Sequence, residues 1–263
     1  MAFPNSYVCR FNGNPNQTHH DAVQHIYRYL AGTTGVGLTY FKDASLQLEG
    51  YVDSDWAGDK DGSKSTTGYC FKLAGGVISW CSQRQKTVAT SSTHAEYVAS
   101  SDAAKEAYWL ISFLNELSIL DPLLKQKTMK LYIDNTSALK LTKNPEAHAR
   151  TRHIDVRHHY IRELVETKVI DTAWISGKDN PADMFTKPLL SQPLLTYMNQ
   201  MGVTSSSTPL ASAAAEASEG DHSSLSLHSL SEVLESGGVL NVRHQHTSES
   251  EQTVKTNAVQ RGI

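Results

Sequence analysis

Five acidic residues fall where predicted strands end or predicted helices begin. Asp53 and Asp55 close an alternating strand, Glu96 lies one turn into a long helix, Asp134 ends a later strand, and Asp183 lies in the first turns of the last helix. Carboxylates gathered at such ends repel one another unless a cation lies between them. Because carboxylate oxygens without cysteine favour Mg²⁺ or Mn²⁺, this pattern predicts a divalent metal site.

Two such ions about 4 Å apart would activate a water and stabilise the leaving oxygen in phosphodiester cleavage. Taken singly, each acid also has an ordinary role. Asp134 could cap a helix, Asp183 could favour a helix N-terminus electrostatically, and Glu96 could face solvent. Their joint placement favours the metal site, and the phase of the strand favours Asp53 over Asp55 as the ligand.

Hydrophobic periodicity supplies the elements that would position these acids. Strands are predicted at 37–41, 46–53, 68–73, 77–81, 129–134 and 169–175, and helices at 19–30, 91–120, 135–143, 152–167 and from 180 onward. Three antiparallel strands followed by alternating helices and strands predict an α/β fold whose mixed five-stranded sheet is flanked by helices. Active sites of open α/β sheets lie at strand ends, where these acids could converge.

Seven motifs follow one another in this part of the chain. They are GYVDSDWAG at 50–58, KSTTGY at 64–69, SWCSQRQK at 79–86, SSTHAEY at 91–97, DNTSA at 134–138, RHIDVRHHYIRE at 152–163 and ADMFTKPL at 182–189. In order and detail they resemble the ribonuclease H domain at the C-terminal end of copia-type (Pseudoviridae) retrotransposon Pol polyproteins, which also carry reverse transcriptase. RYLAGT at 28–33 resembles the segment that joins the two activities.

The resemblance implies a ribonuclease H-like fold and a metal-binding catalytic set formed by Asp53, Glu96, Asp134 and Asp183. Asp53 would bridge two Mg²⁺ or Mn²⁺ ions, Glu96 and Asp134 would hold one each, and Asp183 would complete the second site. The implied reaction is metal-dependent endonucleolytic cleavage of the RNA strand of an RNA–DNA hybrid during reverse transcription. It would leave a 3′-hydroxyl and a 5′-phosphate.

Several polar and basic residues are candidates for contacts with nucleic acid. They are Gln83, Asn135, Ser137, Arg152 and Arg157. The first three would contact the 2′-hydroxyls and minor groove of the hybrid. The two arginines belong to a stretch, 140–162, with six basic and two acidic residues, which could follow a phosphate backbone or form a solvated helix face.

Composition divides the 263 residues into three parts. Residues 1–45 are predicted to be a remnant of the reverse transcriptase C-terminal or connection segment, and residues 46–200 the ribonuclease H-like domain. Residues 201–263 are predicted to be a largely disordered, serine-rich acidic tail. From Thr204 to Ile263 there are three basic and seven acidic residues, so this segment has a net charge of −4. Because the whole chain has a net charge of −3, the remainder has a net charge of +1. The nearly neutral remainder does not exclude a nucleic-acid partner.

Other patterns exclude competing classes of protein. The three cysteines have no paired spacing, which excludes a disulfide scaffold and a cysteine-based zinc site. A zinc site at His153, His158 and His159 is disfavoured because these residues do not share one helix face. No apolar run reaches the ~20 residues needed to span a bilayer, and the N-terminus does not resemble a signal peptide. We expect a protein that is not secreted, located in the cytoplasm, in a virus-like particle or in the nucleus.

Two other functions compete with hybrid cleavage. A catalytically inactive, nucleic-acid-binding remnant of a truncated polyprotein would bind a hybrid without cutting it. An integrase-like or exonuclease relative of the fold would cut DNA, but it fits the Asp-Glu-Asp-Asp order less well.

Overall fold

The computed structural model describes residues 1–59, 61–143 and 160–205 of the chain. The helices in these ranges are α1 (Ala2–Val8), α2 (Gln17–Gly32), α3 (Ser92–Leu117), α4 (Thr136–Lys143), α5 (Tyr160–Glu166) and α6 (Ser191–Gln200). The strands are β1 (Val36–Leu38), β2 (Glu49–Asp55), β3 (Thr66–Leu73), β4 (Gly76–Arg84), β5 (Met129–Ile133), β6 (Ile170–Trp174) and β7 (Val203–Ser205). Short 3₁₀ turns cover Cys9–Phe11, Pro122–Leu124, Gly177–Asp179 and Pro181–Phe185.

Strands β2 to β6 form one sheet in the order β4-β3-β2-β5-β6. The strands β2, β3 and β4 are antiparallel neighbours, whereas β5 pairs in parallel with both β2 and β6. Parallel neighbours need crossover connections, and the chain supplies helices for them. The predicted α/β fold, with a mixed five-stranded sheet flanked by helices, is confirmed.

The long helix α3 covers one face of the sheet. Its N-cap is Ser91, whose hydroxyl accepts a hydrogen bond from the N–H of His94 at 3.1 Å. Ala99, Ala103 and Ala107 lie on one side of the helix and are fully buried. Their small side chains let the helix approach the sheet closely, which fixes the start of α3 beside the end of β2.

The opposite face carries a second, smaller core. Its fully or largely buried members are Cys70, Val77, Phe185 and Met201. Strands β1 and β7 pair antiparallel with each other, and the Tyr40 hydroxyl donates to the Val77 carbonyl at 2.7 Å. The segment 1–45 therefore contributes to the same folded unit as the main sheet. Strand β7 lies at the start of the segment predicted as a tail, and residues 206–263 lie outside the described residues.

Two predicted helices differ in their extent. The helix expected from residue 180 onward is the five-residue turn Pro181–Phe185, because Pro188 disfavours helical conformation in the residue before it. Of the helix predicted at 152–167, residues 160–167 lie in the described part, and Tyr160–Glu166 are helical. The three histidines considered for zinc lie outside the described residues. Within the described ranges, no helix is long and apolar enough to cross a membrane.

Candidate active site

Strand β2 carries Asp53 to the end of the sheet, where the residue is only 4% exposed. Its partner on β3 is Gly68, and a Cβ atom at that position would lie 2.5 Å from Cγ2 of Thr186. The absence of a side chain at Gly68 thus lets the turn Pro181–Phe185 pack directly on the strand. As a result, the Thr186 hydroxyl donates a hydrogen bond to Oδ2 of Asp53.

Helix α3 supplies Glu96, which is 5% exposed. Its Oε1 accepts hydrogen bonds from the backbone N–H of Ser54 at 2.9 Å and from the Ser54 hydroxyl at 3.0 Å. Its Oε2 is buried and has no hydrogen-bond partner. A buried carboxylate oxygen without a partner is costly, so this atom indicates a missing ligand.

Strand β5 brings Asp134 to the same place. Val52 and Ile133 are partners in the parallel pair of β2 and β5, so the residues that follow them lie side by side. One carboxylate oxygen each from Asp53, Glu96 and Asp134 lies within 4.8 Å of the other two. Three elements that are distant in sequence therefore place three carboxylates at one point.

The turn after β6 adds Asp183 through a buried asparagine. The Asn180 side chain donates to the Val52 carbonyl at 2.9 Å and accepts from the N–H of Ala182 at 3.1 Å, which ties the turn to β2. Asp183 is largely buried, and its Oδ1 lies 2.9 Å from Nζ of Lys187. An ion pair is therefore part of the acidic site.

An open cleft of about 450 Å³ gives solvent access to Asp134 and Asp183. Its lining includes Asp134, Gly177, Lys178, Asp183 and Lys187. Two carboxylates and two lysines thus line the same cleft, which suits a ligand that carries both a metal ion and phosphate groups.

Burial raises the pKa of all four carboxyl groups, and their mutual repulsion adds to the effect. The pKa of Glu96 lies well above its usual range because the group is desolvated and faces Asp53 and Asp134. The pKa values of Asp53 and Asp134 are raised by burial and by a neighbouring carboxylate. Burial and the charge of Asp53 raise the pKa of Asp183 to about 6. A cation would remove this repulsion.

The residues present fit a hard divalent cation. Oxygens on opposite sides of an octahedral Mg²⁺, with bonds of ~2.1 Å, are ~4.2 Å apart. Oxygens on adjacent corners are ~3.0 Å apart, so the oxygens of Asp53, Glu96 and Asp134, which lie within 4.8 Å of one another, would have to move closer together to share one ion. The unpartnered Oε2 of Glu96 would gain its missing contact. Oxygen-only ligation of this kind favours Mg²⁺ or Mn²⁺ over softer metals.

The raised pKa values predict an unusual dependence of stability on pH. Without divalent cations, the carboxyl groups of the folded protein hold protons at a pH at which those of the unfolded chain have released them. The free energy of unfolding therefore falls as pH rises from about 4, the ordinary pKa of Asp, to about 6, the pKa of Asp183 in the folded protein. We expect Mn²⁺ to offset this loss, by about 1 kcal/mol or ~2–4 °C in Tm after solvent screening. Thermal melts in EDTA and in Mn²⁺ between pH 4.5 and 7.5 measure the difference. A Tm difference that does not grow with pH would contradict the prediction.

The hydrogen bonds of Asn180 predict a large effect on stability. In Asn180→Ala the Val52 carbonyl and the Ala182 N–H lose their buried partner, which should cost about 2–4 kcal/mol of unfolding free energy. Urea unfolding measures the change. Asn199→Ala, at an exposed position of α6, is the matched control and should change stability by less than about 0.5 kcal/mol. A loss below 1 kcal/mol in Asn180→Ala would show that the turn is held by other contacts.

The structure distinguishes Asp53 from Asp55 on β2. Oδ2 of Asp55 packs against Gly58, where a Cβ atom would come within 1.8 Å of it. Asp55 lies outside the group of three carboxylates, whereas Asp53 lies within it. The helix-capping alternative for Asp134 is not observed, because Asn135 caps α4 instead. Its Oδ1 accepts from the N–H groups of Ser137 and Ala138, both at 3.0 Å.

Three of the five candidates for nucleic-acid contact lie in the described part of the chain. Gln83 is exposed near the end of β4, and Ser137 is exposed in the first turn of α4. Asn135 is half-buried at the cap of the same helix. Arg152 and Arg157 lie outside the described residues. Contacts of all five with nucleic acid stay predictions.

Sequence reasoning assigned no role to Ser54, Thr186 and Lys187, although each lies inside a quoted motif. Ser54 holds Glu96, Thr186 donates to Asp53, and Lys187 pairs with Asp183. A signal was present in the spacing, because residues three and four positions after an acid at the start of a helical turn lie on the same side of that turn. This spacing could not identify Thr186 and Lys187 from the sequence alone, because it was not known which acidic residue the turn places in the site.

No family model matches the sequence. The chain is 50% identical over 180 residues to the retrovirus-related Pol polyprotein from transposon TNT 1-94 of Nicotiana tabacum, a match that covers 68% of this chain and 13% of the polyprotein. It is 38% identical over 197 residues to the corresponding polyprotein of transposon RE1 of Arabidopsis thaliana, covering 75% of this chain and 13% of that one. The chain therefore spans about 13% of the length of these relatives.

Among solved structures, the chain is similar to the N-terminal RNase H domain of a Mycobacterium tuberculosis protein, solved as a fusion with maltose-binding protein. The TM-score is 0.33 at 14% identity, and the match covers 54% of this chain and 91% of that one. The polyprotein matches agree with the seven motifs that bear the site residues. The chain belongs to the retrovirus-related Pol polyproteins of plant copia-type transposons.

Proposed function

We propose that this chain is a metal-dependent endonuclease that cleaves the RNA strand of RNA–DNA hybrids during retrotransposon reverse transcription. The observation that carries the proposal is the convergence of Asp53, Glu96 and Asp134, whose oxygens lie within 4.8 Å of one another at one end of the sheet. A ribonuclease H-like fold in a Pol polyprotein supports a nuclease-type domain. The unpartnered Oε2 of Glu96 supports a bound cation.

The residues around the carboxylates prepare them for this chemistry. Ser54 fixes the direction of Glu96 through two hydrogen bonds, and Thr186 fixes Asp53 through one. A divalent ion held here, and a second one completed by Asp183, would generate the attacking hydroxide from water and offset the charge that develops on the phosphate. The protein groups need little rearrangement because their positions are set before substrate arrives.

The cleft suits a duplex better than a small ligand. It is open to solvent, and Lys178 and Lys187 on its lining would face phosphate groups of the cut strand. The exposed hydroxyl of Ser137 and the amide of Gln83 would distinguish RNA through its 2′-hydroxyls. The oxygen of Asn135 is used in the helix cap, so its Nδ2 group would be the donor. We expect the reverse transcriptase portion of the polyprotein to be the working partner.

A cleavage assay with a matched control tests the proposal. The substrate is an RNA–DNA hybrid with 5′-labelled RNA, and the protein is the full chain with Mg²⁺ or Mn²⁺. We expect metal-dependent products ending in 3′-hydroxyl groups, and a loss of at least about 100-fold in Asp134→Asn. Asp171→Asn, an exposed acid on the neighbouring strand β6, should retain full activity.

The outcomes of this assay separate the candidate functions. Full activity in Asp134→Asn would overturn the proposed site. Hybrid binding without cleavage under either metal would favour the inactive remnant instead. Cleavage of the DNA strand would favour an integrase-like or exonuclease activity.

A further inference from the structure

Lys187 places a positive charge inside the acidic site. Its Nζ lies 2.9 Å from Oδ1 of Asp183, and the carboxylate is far less exposed than the lysine. Among the described residues, none of the other ion pairs involves Asp53, Glu96 or Asp134. The four carboxylates are therefore not equivalent, because one of them already has a protein cation as its partner.

The backbone of the turn holds this pair in place. The N–H of Lys187 donates to the carbonyl of Asp183 at 3.3 Å, and the Thr186 hydroxyl donates to the same carbonyl at 3.1 Å. The Thr186 hydroxyl has one proton, which it shares between this carbonyl and Oδ2 of Asp53, so the residue lies against both groups. The side chain of Lys187 therefore lies beside Asp183, and both residues line the cleft.

The charge of Lys187 acts on more than its partner. It lowers the pKa values of Asp53, Asp55, Asp134 and Asp183 against the upward effect of burial. Burial lowers the pKa of Lys187, but the ion pair with Asp183 and the charges of Asp53 and Asp134 outweigh that effect and raise it. The ammonium group therefore offsets part of the repulsion that a second metal ion would otherwise remove.

We infer that Lys187 acts as a built-in cation at Asp183, so that the free protein binds one divalent ion tightly and a second ion at least 10-fold more weakly. The tight ion belongs to Asp53, Glu96 and Asp134, which lack a protein cation and lie close enough to share it. A second ion must displace the ammonium group from Asp183 and bear its repulsion. The inference rests on the proposed function, since it concerns the same metal site.

Titration of the full chain with Mn²⁺, in the absence of nucleic acid, tests this directly. Isothermal calorimetry gives the stoichiometry and the two Kd values, and electron paramagnetic resonance of free Mn²⁺ checks them. For the wild type we expect one tight ion and a second with a Kd at least 10-fold higher. In Lys187→Met the second ion should bind at least 10-fold tighter, with a smaller change for the first.

Two further variants sharpen the result. Lys105→Met is the matched control, because Lys105 forms a 2.8 Å ion pair with Asp102 on α3, away from the site. Its Mn²⁺ binding should equal that of the wild type. Asp183→Asn should retain the tight ion and lose the second. Even if Lys187→Met fails to fold, this variant and the wild-type isotherm still test whether the free protein binds one ion tightly and a second one, at Asp183, more weakly.

Equal affinity for two ions in the wild type would overturn the inference, as would an unchanged ratio of the two Kd values in folded Lys187→Met. Loss of the tight ion in Asp183→Asn would overturn it as well. The proposed function fails differently, through absence of hybrid cleavage. A chain that cleaves hybrids and binds two equal ions contradicts only the role of Lys187.

Discussion

Glu96→Gln is expected to lose metal-dependent hybrid cleavage by at least about 100-fold while becoming more stable than the wild type in EDTA. Gln keeps an oxygen at the position of Oε1, so both hydrogen bonds from Ser54 can remain. The substitution removes one negative charge and replaces the unpartnered Oε2 with an amide group. The metal ligand is thus lost while the local geometry is preserved.

The gain in stability follows from the raised pKa of Glu96. Burial and the charges of Asp53 and Asp134 disfavour the ionised carboxylate, so a neutral side chain of the same shape avoids that cost. We expect a gain of about 1 kcal/mol, or ~2–4 °C in Tm, at pH 7.5 in EDTA. Such a trade of stability for activity is typical of residues kept for chemistry.

Glu106→Gln is the matched control for this experiment. Glu106 lies on the same helix and accepts a hydrogen bond from the Ser79 hydroxyl at 2.7 Å, so the substitution is chemically identical. It should leave both cleavage and the EDTA melting temperature within error of the wild type. If Glu96→Gln were less stable than the wild type in EDTA, the repulsion described for the site would be wrong. If it cleaved normally, Glu96 would not be a ligand.

The sheet could be predicted from sequence because its strands follow a local pattern. Alternation around Val52 and the Gly75-Gly76 turn are readable within a few residues. The meeting of Asp53 and Asp134 also follows, since parallel neighbours bring successive strand ends together. The resemblance, and not the periodicity, selected the four candidate metal ligands among the acidic residues of the chain.

Other features depend on contacts between distant segments. The pairing of β1 with β7 joins residues 165 to 169 positions apart, and neither strand has more than three residues to form a pattern. The close approach of Thr186 to Asp53 depends on the absence of a side chain at Gly68, on another strand. No local rule links these positions, so the structure was needed to find them.

Shortening the chain to residues 46–200 is expected to cost about 5 kcal/mol or more, which approaches the whole stability of a typical domain. The cut removes strands β1 and β7 and the fully buried Met201 from the second core. Loss of one buried methionine side chain alone costs about 2–5 kcal/mol. The shortened chain also loses two hydrogen bonds, Tyr40 hydroxyl to Val77 carbonyl and Val77 N–H to Met201 carbonyl. We expect an unfolded or aggregating fragment, as measured by urea unfolding and circular dichroism.

A single substitution tests the same contacts without shortening the chain. Gly202 has a φ of +73°, and a Cβ atom there would lie 2.7 Å from the Gly75 carbonyl oxygen and the Gly76 Cα atom. Because both obstacles are backbone, Gly202→Ala should cost about 3 kcal/mol of unfolding free energy. Gly37→Ala, on the paired strand β1 with open space around the site of its Cβ atom, should change it by less than about 0.5 kcal/mol. Two results together would contradict this prediction: equal stability of the two variants and a stable 46–200 fragment. They would mean that the pair of strands β1 and β7 does not stabilise the second face of the sheet and that segment 1–45 is dispensable for folding.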